Sequence, residues 1–212
     1  MEPDPLLGPV ERYYSGKVAE HGPTARGVDW RDEASQALRF SQLLKLCDLD
    51  TPFAINDYGC GYGALATYLD ERGRRFRYTG FDISEQMLEQ ARVLVGESDR
   101  CRFVSSEDEL EPADYTVASG IFNVRLDAGD EDWERHVLAT LDKLDALSVR
   151  GFAFNVLTSY SDADKMRPDL YYADPGALFD HCKRRYSRWV ALLHDYGLWE
   201  FTILVRREPA QQ

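Results

Sequence analysis

The chain has 212 residues, 44% of them apolar, with 25 Lys and Arg against 37 Asp and Glu and a net charge of −12. That length and composition fit one α/β domain with a full core and exclude two large domains. The negative balance repels a phosphate backbone unless the basic residues gather in one patch, so DNA and large RNA are poor partners.

Two basic clusters, Arg72-Gly73-Arg74-Arg75 and Lys183-Arg184-Arg185, fall where helices are expected to end, and the helix dipole favours cations there. Cys47, Cys60, Cys101 and Cys182 are scattered with no CxxC pair, so neither a zinc site nor a disulfide framework is expected, and no metal is called for. No apolar run approaches the length of a membrane span, and Met1-Glu2-Pro3-Asp4-Pro5 lacks the build of a signal peptide. The expectation is a soluble, cytoplasmic protein.

Residues 1–30 are turn-rich yet carry Tyr13, Tyr14 and Trp30, more aromatic content than a disordered tail usually has. They predict a short helix around 9–19 and a loop that folds back, so that 1–50 forms an N-terminal helical lid segment and 51–212 the core. A helix opens near Asp32, with Ala37, Phe40, Leu44 and Cys47 as an apolar stripe and Pro52 as its end. Strands and helices then alternate: strand 53–58, helix 62–72 closing near Gly73, strand 76–82, and helix 84–96 with Ser84 as N-cap and Met87, Ala91 and Leu94 inward. Strands at 102–105 and 115–119 follow. A helix at 131–147 places Trp133, Val137, Leu141 and Leu144 on one face, and a strand at 152–157 comes next.

Residues 158–173 form a polar loop with Pro168, Tyr171 and Tyr172, before a helix near 175–185 and a strand from Arg188 to His194. After the turn Asp195-Tyr196-Gly197, the last strand alternates Trp199, Phe201, Ile203 and Val205 with Glu200, Thr202, Leu204 and Arg206, a period of two. So short a turn makes an antiparallel hairpin. Five strands with long crossovers and a final hairpin describe a mostly parallel sheet covered by helices.

The chemistry concentrates in Asn56-Asp57-Tyr58-Gly59-Cys60-Gly61-Tyr62-Gly63. A strand ends there, glycines let the backbone approach a ligand, and a helix begins. The next strand ends in Asp82, an acid placed to accept both hydroxyls of a ribose. Together these point to an adenosine-containing ligand. Gly59-x-Gly61-x-x-Ala64 also satisfies the dinucleotide pattern, so an NAD(P)-dependent oxidoreductase stays open on spacing alone.

Asp57 two residues before the first glycine, with the Gly59-x-Gly61-x-Gly63 rhythm, resembles motif I of the Rossmann-like S-adenosylmethionine-dependent methyltransferases. Phe81-Asp82-Ile83-Ser84 is similar to the family's ribose motif, Val104-Ser105-Ser106-Glu107 to its adenine-reading turn, and Ala113–Gly120 to its fourth strand. The final hairpin resembles the family's reversed seventh strand. The likeness covers about residues 50–206. It implies a seven-stranded sheet in order 3-2-1-4-5-7-6 with the last strand antiparallel, S-adenosylmethionine as methyl donor and S-adenosylhomocysteine as product. Asp57, Gly59, Cys60, Gly61, Gly63, Asp82, Ile83, Ser106, Glu107, Ser119 and Gly120 are then the donor contacts, with Arg39 as a candidate for the donor's carboxylate. No Asn-Pro-Pro-Tyr type motif follows the fourth strand.

Ligands of open α/β sheets sit beyond the carboxyl ends of the parallel strands. His194, His21 and Asn123 are the catalytic candidates on that basis, with Tyr160, Asn155 and Phe122 nearby. The aromatic and neutral polar setting favours O- or N-methylation of a small or sugar-like acceptor. A non-catalytic S-adenosylmethionine-binding module and an RNA or protein methyltransferase are the other readings; the last requires a basic groove beside Asn123 and Asn155.

Overall fold

The computed structural model describes residues 6–28 and 32–208, so Trp30 and the first five residues of the expected lid segment lie outside the described residues. Phe53–Tyr58 (β1), Phe76–Phe81 (β2), Cys101–Val104 (β3), Ala113–Ala118 (β4) and Ser148–Leu157 (β5) are parallel, in register from Ile55 opposite Tyr78 to Ala118 opposite Phe154. Trp189–Leu193 (β6) and Glu200–Arg206 (β7) form the hairpin, and the seven strands run in the order β3-β2-β1-β4-β5-β7-β6. β7 is antiparallel to both neighbours. This is the Rossmann-like methyltransferase architecture. The chain leaves β1 outward toward β3 and returns to β4 on its other side, which opens a crevice at the carboxyl ends of β1 and β4.

Helices cover both faces: Leu7–His21 (α1), Glu33–Leu43 (α2), Ala64–Glu71 (α3), Glu85–Leu94 (α4), Asp130–Ala146 (α5) and Pro175–Arg185 (α6). Their starts follow from local chemistry. Asp32 accepts the Ser35 N–H at 2.7 Å, Ser84 accepts that of Met87 at 3.3 Å, and Asp174 accepts those of Gly176 and Ala177 ahead of α6. Trp133, Val137, Leu141 and Leu144 of α5 are wholly buried against Phe152, Phe154 and Ile203. On the other face α3 and α4 pack Leu65, Leu69, Leu88 and Ala91 against Ile55, Tyr78 and Val117. The basic clusters stand at the ends of α3 and α6, as the dipole argument requires.

Three expectations need correction. The period of two in the last strand does not divide a wet face from a dry one: Glu200 through Val205 are all buried, because β7 lies between β5 and β6. The stripe Ala37-Phe40-Leu44-Cys47 faces inward in part: α2 ends at Leu43, Phe40 and Leu44 are buried in the core with Cys47 packed against it, and Gln36, Arg39 and Gln42 are buried beside them. In α4 the inward set is Met87, Leu88 and Ala91, and Leu94 is 53% exposed.

Candidate active site

The turn after β1 is built from backbone that only glycine adopts readily. Gly59, Gly61 and Gly63 have φ of +83°, +54° and +80°. A Cβ on Gly59 would lie 2.2 Å from Ile121 Cγ2, so the turn packs directly on the loop that follows β4. The Gly59 and Cys60 N–H groups both donate to the Phe81 carbonyl, at 2.8 and 2.9 Å, which ties the turn to the end of β2.

Asp82 stands where β2 ends. Its Oδ2 accepts the Gly61 N–H at 2.8 Å and its Oδ1 the Ser84 N–H at 2.9 Å. A carboxylate has about four acceptor positions, so each oxygen keeps one for a hydroxyl. Burial pushes the carboxyl up to about 6, with the two backbone donors opposing. Asp57 is buried beneath the turn and accepts the Tyr78 hydroxyl at 2.7 Å; burial pushes it up to about 7, against that hydrogen bond.

Glu107 closes one side. It accepts the Tyr58 hydroxyl and pairs with Lys143 of α5 at 2.7 Å, so its carboxylate is both oriented and neutralised. Ser106 uses its hydroxyl to accept the Asp108 N–H, and Glu107 is the acid in the wall. Below the loop after β4, the fully buried Asn155 accepts the Gly120 N–H at 2.7 Å and donates to Ser119 Oγ at 3.3 Å.

Leu7, Val10 and Tyr14 of α1, with Val28, Gln36 and Phe40, complete the pocket across from Asp57, Gly59, Cys60, Gly61, Asp82, Ile83, Ser119 and Gly120. Tyr62 donates to Gln36 at 2.9 Å, and Ser15 of α1 meets Ser84 at 2.8 Å. The cavity is narrow, about 120 Å³.

The chain is 58% identical over 164 residues to a Mycobacterium tuberculosis protein, Rv1506c, a methyltransferase by name; the match spans 77% of this chain and 99% of that one. The chain belongs to the Rossmann-like, S-adenosylmethionine-dependent methyltransferases. Residues 55–141 match the methyltransferase domain family. In fold it is similar to DhpI in its S-adenosylhomocysteine complex, with a TM-score of 0.64 at 14% identity over 98% of both chains. It is also similar to the 1,6-didemethyltoxoflavin-N1-methyltransferase of Burkholderia thailandensis, with a TM-score of 0.60 at 21% identity over 96% of this chain and 92% of that one.

Within this methyltransferase the proposed catalytic residues are not brought together at the pocket. His194 is exposed beyond β6, with the Tyr160 and Phe201 rings about 6 Å away. His21 ends α1 beside Glu20 at 3.6 Å. Asn123 is buried, with its side-chain oxygen accepting the Leu157 N–H at 3.1 Å and its carbonyl the Tyr171 N–H at 2.8 Å. Arg39 is neither an exposed helix residue nor part of the pocket wall: its Nε donates to the buried Glu200 at 2.8 Å. Sequence reasoning missed Leu7, Val10, Val28, Gln36 and His136 as wall residues. His136 packs its ring 5.1 Å from that of Trp133, and its one signal was its place beside the apolar stripe of α5. Among the described residues no helix is long and apolar enough to cross a membrane.

Proposed function

We propose that the pocket at the carboxyl ends of β1, β2 and β4 holds S-adenosylmethionine, and that the enzyme methylates an oxygen or nitrogen of a small molecule. The observation that carries the donor assignment is Asp82: a carboxylate with one open acceptor position on each oxygen, next to a glycine turn whose backbone lines the same cavity. When bound, the donor supplies an activated methyl group on a sulfonium, so no redox step or metal is needed. The chain's own residues bind, orient and exclude water. Asp82 would take the ribose hydroxyls, and Glu107, the Ser119-Gly120 turn and Asp57 would line the rest of the donor site. Val10, Tyr14 and Phe40 roof the cavity and keep water out.

The apolar side chains of Leu7, Val10, Tyr14 and Phe40 beside the pocket favour a small acceptor in this reading. Titration calorimetry with S-adenosylmethionine and with NADH tests the donor. Asp82→Ala is expected to weaken S-adenosylmethionine by 10- to 100-fold, the range of about 1.5–3 kcal/mol for hydrogen bonds to a charged group, with the fold intact by circular dichroism. NADH binding without S-adenosylmethionine binding rejects the donor assignment. Transfer of labelled methyl to a fractionated metabolite pool identifies the acceptor class; binding without transfer to any fraction favours a sensor.

A further inference from the structure

A second concavity lies at the opposite, amino edge of the sheet. It is a groove of about 980 Å³ between the segment that follows α2 and the ends of α3, β5 and β7. Six cations line it: Lys45, Arg72, Arg74, Arg150, Arg206 and Arg207, against the acids Asp48, Asp50 and Glu208. This gathering is notable in a chain whose net charge is −12.

Three of the six are compensated by carboxylates. Arg207 pairs with Asp145 at 2.9 Å, Arg74 approaches Asp50 at 3.9 Å, and Arg72 approaches Glu71 at 3.8 Å while resting on the Tyr68 ring. Among the described residues the other three form no salt bridge, and Arg150 acts on Asp48 only through space. Lys45 donates to Gln42, Arg206 donates to the Lys45 carbonyl at 2.6 Å, and Arg150 lies over the Tyr115 ring at 5.2 Å. Asp48 accepts the Asp50 N–H at 3.1 Å and the Thr51 hydroxyl at 3.0 Å, and these bonds, with the Arg150 charge, hold its carboxyl below the ordinary value. Burial pulls the Arg206 guanidinium below its ordinary value, and only the Cys47 thiol and the Tyr115 phenol oppose it.

We propose that this groove binds the phosphate groups of a phosphorylated small molecule, held by Lys45, Arg150 and Arg206 at the edge of the sheet opposite the donor pocket. A concave, low-dielectric site lined by cations focuses its field on anions. Forked guanidinium donors match a phosphate bidentately, and a lysine adds a mobile point charge. The acids at the groove and the negative charge of the whole chain repel an extended nucleic-acid backbone, so a compact anion is the fitting occupant.

The test is titration calorimetry of the full chain with inorganic pyrophosphate at physiological salt, with S-adenosylhomocysteine saturating the donor pocket. One-site binding is expected, weakened at least tenfold by Arg150→Gln and by Arg206→Gln. It should be unchanged by Arg184→Gln, which alters an exposed arginine on α6 paired with Asp180. Lys45→Gln, at an exposed position, is the second probe should either buried-edge variant fail to fold. Absence of pyrophosphate binding, or binding indifferent to all three groove variants, overturns the proposal. A single-stranded RNA oligomer that binds more tightly than pyrophosphate and displaces it overturns the small-molecule assignment.

Discussion

The two N-terminal helices both wall the donor pocket, yet they are held there by different forces. α2 is pinned from inside: Arg39 reaches a carboxylate on β7 whose side chain is 0% exposed, Gln36 receives the Tyr62 hydroxyl, and Phe40 and Leu43 enter the core. α1 is held from outside. It buries Val10 and Val18; one polar tie is a relay in which the Met87 N–H donates to Ser84, Ser84 meets Ser15, and Ser15 donates to Glu11, and another links Tyr13 to Arg167. A pocket of about 120 Å³ is below the roughly 300 Å³ at which ligand sites usually begin, so one wall must yield to admit a nucleoside. α1, with the weaker hold, is expected to be the wall that yields, and α2 the fixed one.

The largest expected effect tests the fixed wall. Arg39→Met strands the Glu200 carboxylate in the core, and breaking a buried pair from one side costs about 3–5 kcal/mol. Urea denaturation should show that loss; a change below about 1 kcal/mol would break the contrast between the helices.

An intermediate effect tests the floor beneath both helices. Asp57 and Asp82 sit at about 7 and about 6, above the ordinary 3.8. An acid raised by folding contributes stability that is full below its unfolded value and lost as pH rises through the folded one. The ligand-free enzyme is therefore expected to lose stability from these groups between pH 5 and pH 8. Asp57→Asn should flatten that slope by about 1–3 kcal/mol in denaturation curves at the two pH values. An unchanged slope removes Asp57 as its source.

The smallest effect tests the yielding wall. Ser15→Ala removes the side-chain tie between α1 and Ser84, worth about 1 kcal/mol or less. Its readout is local. Hydrogen exchange over residues 7–21 should be faster than over 33–43 in the wild type, and faster still in the variant, with 33–43 unchanged. Equal protection of the two helices would remove the distinction.

Much of this arrangement was legible from sequence because it is set by local chemistry. The strand at Phe53–Tyr58, the Ser84 cap, the Trp133–Leu144 stripe and the glycine turn each follow from residue spacing within one element. What escaped was set by partners far along the chain. Arg39 and Glu200 look like surface charges in their own segments and are buried only because they meet across 161 positions. β7 shows a period of two, and its burial comes from insertion between β5 and β6. In the pocket, the loop side was readable and the roof was not. A helix such as α1 carries no mark of which surface its Leu7, Val10 and Tyr14 will cover. Ser106-Glu107-Asp108 could not be separated until the Tyr58 and Lys143 contacts singled out Glu107.

The ion pair between α2 and β7 also has a bearing on how the protein is made. Arg39 is synthesised 161 positions ahead of Glu200, whose strand enters between two strands that precede it. Until then β5 presents an unpaired edge and Arg39 has no carboxylate at its Nε. The pocket wall on which the donor depends therefore gains its ion pair only once residue 200 is made; before that, α2 is held over the glycine turn and Asp82 by the Tyr62–Gln36 bond and by Phe40 and Leu43 alone.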